Sequence, residues 1–528
     1  MLKMGKTMVL AAIIALALAL PLSAQLNSNS NTSSATAGMF GNDVDDYMDY
    51  HYWSDVSFDK WFGFAGWNVP IMSGSSVPSL GYATNFAGLY LAAWFNGNIM
   101  SVGSGSKTET TSTAPGVSTS YTTYSSNSSR ITASNHLSVL VGMQNMGIKV
   151  GFLQEISRNK LKGPSGTQFG TQDLGGGVRQ HIEVVEYAYR DNYFTPYVGW
   201  GGVFGVLKPY ATLGLTFVND RSFNTYTEYQ TENGQRGGET IRNNSGYKRN
   251  YVSPGLVLGV KYDLDDILPL PSVVGIQYDV NFRINSNNDY SASGIDGKAK
   301  GEVSWGPATT VITRPTGSTT TTVNTRTIDV NEKSEWNHTF TPSITMSEEI
   351  ASGLKLGLGA ELPIAITAQK DDEYTDTLYR YVVTGTGATT NETYTHTPNG
   401  LTKTTTFGVG LTLAVGATYQ LVPNRFSINA GIEGTPLGFS NTTTKTSDNG
   451  AATGYSITGG TRTNDTTPQY MPDTKATNFQ WSSFSYTASG GFTFYYNPKA
   501  AIDMAITSSG GNGNLSLTDV NVLLILNF

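Results

Sequence analysis

The chain reads as an all-β protein whose antiparallel strands close into a transmembrane barrel of about fourteen strands, preceded by an N-terminal periplasmic or plug segment. Three observations predict this. Large apolar side chains recur at every second position over runs of roughly ten residues, the length a tilted strand needs to cross a bilayer. Between those runs, tight turns alternate with long Thr-, Ser-, Asn- and Gly-rich stretches, the asymmetry of a barrel with one short-turn end and one long-loop end. The last stretch, Asp519–Phe528, reads D-V-N-V-L-L-I-L-N-F and puts Val520, Val522, Leu524, Leu526 and Phe528 on one face. As a free edge such a row would aggregate. Facing lipid in a closed barrel, it leaves no edge at all.

Composition narrows the class. The 528 residues include no Cys, which excludes disulfides, thiolate metal sites and an acylated N-terminal cysteine. Charged residues are 14% of the chain, against roughly 25% in ordinary globular proteins. A net charge of −7 argues against a nucleic-acid partner. After the first two dozen residues no apolar run approaches the roughly 20 that a membrane helix requires. At the start, Lys3 and Lys6 precede an apolar core, Val9–Leu20, which Pro21 ends before Leu22-Ser23-Ala24. Residues 1–24 therefore read as a secretory signal peptide, cut after Ala24.

Residues 25–79 are expected to form the N-terminal segment. A Ser/Asn/Thr-rich leader comes first, too poor in apolar residues to fold by itself. Gly41–Trp67 then interleaves Asp43, Asp45, Asp46, Asp49, Asp55 and Asp59 with Tyr47, Tyr50, Tyr52, Trp53, Trp61 and Trp67. The carboxylates lack the spacing, the Gly and the Glu of a calcium loop. The reading is a plug or periplasmic extension, not a metal site.

From Leu80 to Phe528 the alternation marks the barrel strands. Leu89, Leu91, Ala93 and Phe95 form the first. Leu137–Met143 and Ile148–Phe152 pair across a turn at Asn145–Gly147, and a further pair meets near Asp191-Asn192. Thr195–Asn219 reads as one bent strand or two short ones; one keeps the count at fourteen, with twelve or sixteen also open. Clean hairpins follow at Leu256–Ile284, Phe340–Ile366, Phe407–Ile432 and Phe484–Ile506, and the last strand ends at Phe528. The polar stretches 101–132, 159–177, 220–250, 285–335, 369–403 and 440–477 are expected to be extracellular loops. An exported β-sandwich would alternate too, but its outer face would be uniformly polar, whereas here the second face is small or polar.

If the bulky rows face lipid, the intervening residues line the lumen. These include Gln277, Asp279 and Arg283 in one strand, Lys355 and Glu361 in another, Glu433 in a third, and Lys149, Glu155 and Lys261 by the same parity. Arg283 or Lys355 turned to lipid at midplane would cost about 2–4 kcal/mol, which supports the register. The charges either set pore selectivity or pair across strands and fill the interior. Leu153, Val257, Leu523 and Ile525 also fall on the inner side, where they would guide an apolar solute or pack on a plug.

No catalytic constellation is present. The five His are scattered, and no H-E-x-x-H, G-x-S-x-G or phosphate loop occurs. His136-Leu137-Ser138 has the His-x-Ser spacing of the outer-membrane phospholipase family, but the Asn-Gly-Arg continuation is missing. Parity also turns His136 and Ser138 inward, whereas that family displays its nucleophile toward lipid. The protein is read as a non-enzyme without cofactor or metal.

Two resemblances follow from these residues. The final strand resembles the C-terminal assembly signal of bacterial outer-membrane barrels, which implies that Phe528 addresses the chain to the barrel-assembly machinery. The number of strands, the segment before them and the terminal Phe together resemble the long-chain fatty-acid transporter (FadL-like) class. That likeness implies passive entry of small, hydrophobic solutes through the lumen or wall, with outer-membrane lipids as the surroundings. The hatch of that class carries an Asn-Pro-Ala element, from which Asn68-Val69-Pro70 departs. The alternative is a surface-displayed barrel whose long loops act in adhesion.

Overall fold

A computed structural model describes residues 62–527, apart from 71–76, 87–88, 105–106, 115–116, 125–127, 144, 162–167, 176–177, 233–234, 265–270, 293–294, 315–319, 386, 424, 448–450, 468–472, 483, 498–499 and 512–513. The signal peptide, the acidic-aromatic stretch up to Trp61 and Phe528 lie outside these residues.

The wall is one antiparallel sheet closed on itself. In order around it come β1 (Phe62–Pro70), β2 (Val77–Phe86), β3 (Leu89–Ser104), β4 (Ser128–Met143), β5 (Met146–Leu161, with Gln168–Gly175 above it) and β6 (Val178–Gly202). Next are β7 (Leu207–Glu232), β8 (Gln235–Asp263), β9 (Ser272–Phe282, resumed as Glu302–Arg314), β10 (Thr320–Ala351) and β11 (Leu354–Glu361, resumed as Ile364–Thr384). The circuit ends with β12 (Thr389–Val422), β13 (Phe426–Ser447), β14 (Thr474–Trp481, resumed as Ser485–Asn497), β15 (Ala500–Gly511) and β16 (Asn514–Asn527). β16 then pairs with β1, from Phe62↔Asn527 to Pro70↔Asp519, and no edge remains.

Sixteen positions are thus paired around the wall, the highest of the counts the sequence leaves open. The two beyond fourteen are β1 and β2. Among the described residues the wall reaches back to Phe62, upstream of the Leu80 boundary. β1 is rich in Gly and aromatics (FGFAGWNVP) and carries no clean apolar alternation, so periodicity does not announce it.

The hairpin placed at Asp191-Asn192 is a second correction. Both residues lie inside β6, opposite Ser157 and Ile156 of β5. The chain turns at residues 203–206 instead, where Gly205 takes φ 65° and Phe204 and Leu207 exchange backbone hydrogen bonds of 2.8 and 3.2 Å. Thr195–Asn219 is accordingly parts of two strands.

The third correction concerns the polar stretches. Residues 220–250 continue β7 and β8 as a ladder running to Glu232↔Gln235. Residues 369–403 similarly extend β11 and β12, with one register shift between Glu373 and Tyr374. Outside lipid neither face needs large apolar groups, so alternation vanishes while the hydrogen-bonded ladder continues. Thr has the β-branched shape that suits it, and Thr402, Thr404 and Thr406 stand opposite Thr446, Thr444 and Thr442.

Exposed apolar side chains band the outside. They include Val139, Val141 and Met143 of β4, Ile148 and Val150 of β5, Leu213, Leu215 and Phe217 of β7, and Leu413 and Val415 of β12. Aromatic rings edge this band toward the long-strand end: Phe194 lies 6.5 Å from Phe217, Phe282 5.0 Å from Trp336, and Phe407 5.9 Å from Phe439. Toward the short-turn end Phe426 and Phe492 are 5.6 Å apart, near exposed Tyr419 and Tyr496. Twelve residue steps from Phe407 to Tyr419, at ~3.3 Å each and a tilt of ~40°, span about 30 Å, the hydrocarbon thickness of a bilayer. Closure plus this belt makes the chain a transmembrane β-barrel of the outer-membrane type.

Candidate functional site in the lumen

Residues alternating with the belt form the inner face, and chemistry gathers on one side of it. β5 to β10 there enclose a recess of about 500 Å³. Leu153 of β5 and Val257 of β8 give it an apolar floor, and buried Val218 of β7 lines it at the level of the tyrosines. Tyr193 and Tyr197 of β6 and Tyr251 of β8 wall it, and Asn281, Arg283 and Glu335 form its polar rim. Leu153 is 45% exposed, although it points away from the belt. Gly214 and Gly255 keep the recess open, since at these positions no side chain projects into it.

The tyrosines are held by polar partners on the same face. Tyr197 Oη lies 2.7 Å from His136 Nε2, and Thr195 Oγ1 lies 2.9 Å from Thr216 Oγ1. Tyr193 donates to Asp220 Oδ2 at 3.2 Å and accepts from Arg249 Nη2 at 3.1 Å. Asp220, 1% exposed, also accepts from Arg249 Nε at 2.9 Å. The chain of charges continues through Glu302, whose Oε1 lies 4.0 Å from Arg249 Nη1 and 2.9 Å from Arg283 Nη2. The Arg283 contact is an ion pair by distance, with the N–H aimed off the hydrogen-bond line. Arg283 also stacks on Tyr251, 4.0 Å from the ring centroid. Two acids and two bases thus alternate across β7, β8 and β9 above the apolar floor. These four charges cancel one another, and Glu335 adds one further negative charge at the rim.

The structure brings together three of the residues that sequence parity assigns to the lumen: Leu153, Val257 and Arg283. Gln277 and Asp279 lie beside them on β9, with Gln277 accepting from Tyr210 Oη at 2.7 Å and donating to Asp279 Oδ2 at 2.9 Å. Lys149 and Lys261 stand in register with Gly199 and Lys208, and Glu155 with Tyr193. Lys355, Glu361 and Glu433 belong to β11 and β13 and do not line the recess; their register partners include Thr418, Ser343 and Thr487. Leu523 and Ile525 pair through their backbones with Gly66 and Phe64 of β1, and their side chains lie outside the described residues.

Sequence reasoning missed the three recess tyrosines and the Asp220–Arg249–Glu302 series. The signal was the parity of Tyr193, Thr195 and Tyr197 against Phe194, which an unplaced turn concealed. Asp220, Arg249 and Glu302 were hidden because they fall in stretches that read as loops.

Toward the short-turn end the inner face is filled: Tyr90, Leu140 and Tyr210 on one side and Thr418, Ser427 and Thr493 on the other are buried. The recess lies above that filled zone. Among the described residues no group of three or more His, Asp or Glu is arranged to hold a metal ion.

No protein-family model and no curated protein matches the chain. Several solved structures align along it. The monoaromatic hydrocarbon channel CymD is 11% identical with a TM-score of 0.31, over 94% of this chain and 97% of that one. The Pseudomonas putida toluene transporter TodX is 9% identical with a TM-score of 0.30, over 96% of each chain. The ferric enterobactin receptor PfeA of Pseudomonas aeruginosa is 10% identical with a TM-score of 0.27, over 89% and 80%. All are outer-membrane barrels. At these scores the likeness carries no functional weight; the closed wall, the belt and the recess carry it instead.

Proposed function

We propose that this outer-membrane β-barrel is a channel for passive entry of small solutes, hydrophobic ones among them, and that the recess on the inner face of β5 to β10 is a station on their route. The observation that carries this reading is apolar surface left open inside the barrel: Leu153, 45% exposed, and half-buried Val257 beside three tyrosines, in a volume of about 500 Å³. Pockets of this size and lining suit small-molecule ligands. A barrel needing only to be filled would cover such side chains, as it covers Tyr90 and Leu140 near the turns. The wall size agrees, since sixteen strands leave room for an aqueous channel where eight do not.

The chemistry expected of the recess is partition rather than catalysis. An apolar solute leaves water for the floor while the Arg283–Glu302 and Arg249–Asp220 pairs stay bonded to each other at the rim. Lys149, Glu155, Lys261, Lys355, Glu361 and Glu433 then set the field along the rest of the lumen. The test is uptake by proteoliposomes containing the purified barrel, with a small aromatic hydrocarbon and a polar solute of similar size. Uptake of neither, together with silent planar-bilayer traces, would sink the transport reading.

One observation favours a second reading, surface display. Every described residue of Thr474–Trp481 is exposed, including Phe479 and Trp481, on a stretch above or at the belt edge. Binding of whole cells to immobilised matrix proteins, lost when this stretch is replaced by Gly and Ser while uptake persists, would identify adhesion as the main role.

A further inference from the structure

The outer face of the barrel carries a row of cations that the transport reading does not use. Arg158 of β5 stands opposite Arg190 of β6, Arg190 opposite Arg221 of β7, and Arg221 opposite Lys248 of β8. All four share the parity of the belt: Arg221 follows Phe217 by four positions, and Arg190 precedes Phe194 by four. Four steps at ~3.3 Å and a ~40° tilt put the row about 10 Å above that aromatic ring, at the level of lipid headgroups.

Four like charges side by side on neighbouring strands repel one another, and the wall supplies little to offset them. Asp220, next to Arg221 in sequence, faces the lumen and is taken by Arg249. Among the described residues, Arg158, Arg190 and Arg221 have no carboxylate within salt-bridge distance, and Arg190 Nε is buried without a hydrogen-bond partner. Lys248 alone has a weak contact, 3.8 Å from Asp289.

Asp289 belongs to a hairpin, Asn287–Ala292 and Ile295–Lys300, that folds against the outside of the wall. Its Ala299 packs on Val303, Ile328 and Val330, and Val303 stands opposite Lys248 in the ladder. The cation row therefore runs into a cleft between wall and hairpin of about 610 Å³. Arg221, Lys248 and Lys298 edge the cleft, and Phe223, Tyr290 and Trp305 supply flat apolar surfaces.

We infer that this row and cleft are a binding site for a phosphorylated glycolipid headgroup of the outer leaflet. Phosphate suits a line of guanidinium groups, which bind it through paired N–H donors. Sugar rings present flat faces of C–H groups that pack on aromatic side chains, and the acyl chains would descend along the belt below. The height above the aromatic ring selects a lipid over a soluble anion, because a free anion has no reason to gather at the headgroup plane.

The experiment uses the whole barrel purified in detergent and native mass spectrometry with bisphosphorylated lipid A, its dephosphorylated form and inorganic phosphate as separate probes. The expected result is retained bisphosphorylated lipid, weak retention of the dephosphorylated form and none of phosphate. In R158Q/R190Q/R221Q, a factor of about five per cation lost near an anionic surface compounds to roughly a hundredfold weaker retention. The triple Lys variant should recover most of it. Equal retention of the phosphorylated and dephosphorylated lipids, or full retention by the Gln variant, would overturn the inference. So would tight binding of inorganic phosphate with no preference for lipid. Heat-dependent gel mobility verifies that each variant is folded, and uptake of solutes by the Gln variant should stay unchanged, which separates this site from the lumenal reading.

Discussion

Filling the recess should close an apolar route while leaving the barrel intact. Gly214 and Gly255 are the positions to change. A Cβ at Gly214 would meet Thr195 Cγ2 at 3.7 Å and Tyr197 Cβ at 3.9 Å, and one at Gly255 would meet Asn281 Cβ at 3.8 Å, all ordinary contacts. Neither glycine has positive φ among the described residues, so a side chain is tolerated by the backbone. In G214F/G255F two aromatic rings enter a space of about 500 Å³ and cover Val257 and the tyrosine faces. A small aromatic solute that buries about 100 Å² there gains about 2.5 kcal/mol at about 25 cal/mol per Å². Its loss corresponds to roughly sixtyfold lower occupancy. Uptake by proteoliposomes is the assay, with a polar solute of equal size as the internal control. The apolar solute should enter at least about tenfold more slowly, with less than about twofold change for the polar one. Unchanged entry of the apolar solute, or equal slowing of both, would refute the claim that the floor is what the solute uses.

The same geometry sets three further outcomes. D220N leaves Arg249 largely desolvated with half its partner's charge-assisted bonds gone and should cost about 2 kcal/mol, read as a lower midpoint of heat-dependent gel mobility. R283Q leaves Glu302 without its 2.9 Å partner and should shift the reversal potential of bilayer currents toward cation preference; an unchanged potential would mean the ionic path avoids this rim. Deleting residues 41–61 should leave a barrel that still shows the heat-dependent shift, whereas deleting 41–67 removes Phe62–Trp67 of β1 and should abolish it, since β16 then lacks most of its closing partner.

Much of the fold was legible because lipid imposes a pattern. Where a strand crosses the belt, one face must be apolar and large, as in Leu413–Val415 or Ile428–Ile432, and parity then assigns every intervening residue. The Arg283 and Val257 placements came from that rule alone. Above the belt the constraint lapses. Residues 220–250 and 369–403 pair as extended ladders with one register shift each, yet with water on both faces the sequence has no period to show. The turn at 203–206 was obscured for the opposite reason: Val203, Phe204, Val206 and Leu207 are themselves apolar, so no polar break marks it. The site inherited these gaps. Half of its rim sits where belt and extracellular ladder meet, just where the periodic signal fades.

The first and last strands show why closure matters more than the count itself. β16 carries a row of large apolar residues at Val520, Val522, Leu524 and Leu526, but its partner β1 has almost no alternation, and their ladder still runs unbroken from Phe62 to Pro70. Backbone hydrogen bonds need no particular side chain, so a Gly-rich strand can seal a barrel as long as its neighbours fix its register on both sides. In that ladder Gly63 and Gly66 of β1 stand in register with Leu526 and Leu523. G66V places a branched side chain on the seam, opposite Leu523 and Ser79. If the lumen beside β1 is open, the variant should fold with an unchanged gel shift and unchanged solute entry. If the N-terminal segment rests against the seam, as the plug expectation requires, the added bulk should displace it and raise conductance. Conductance equal to the parent protein in both G66V and the 41–61 deletion would remove the plug from consideration.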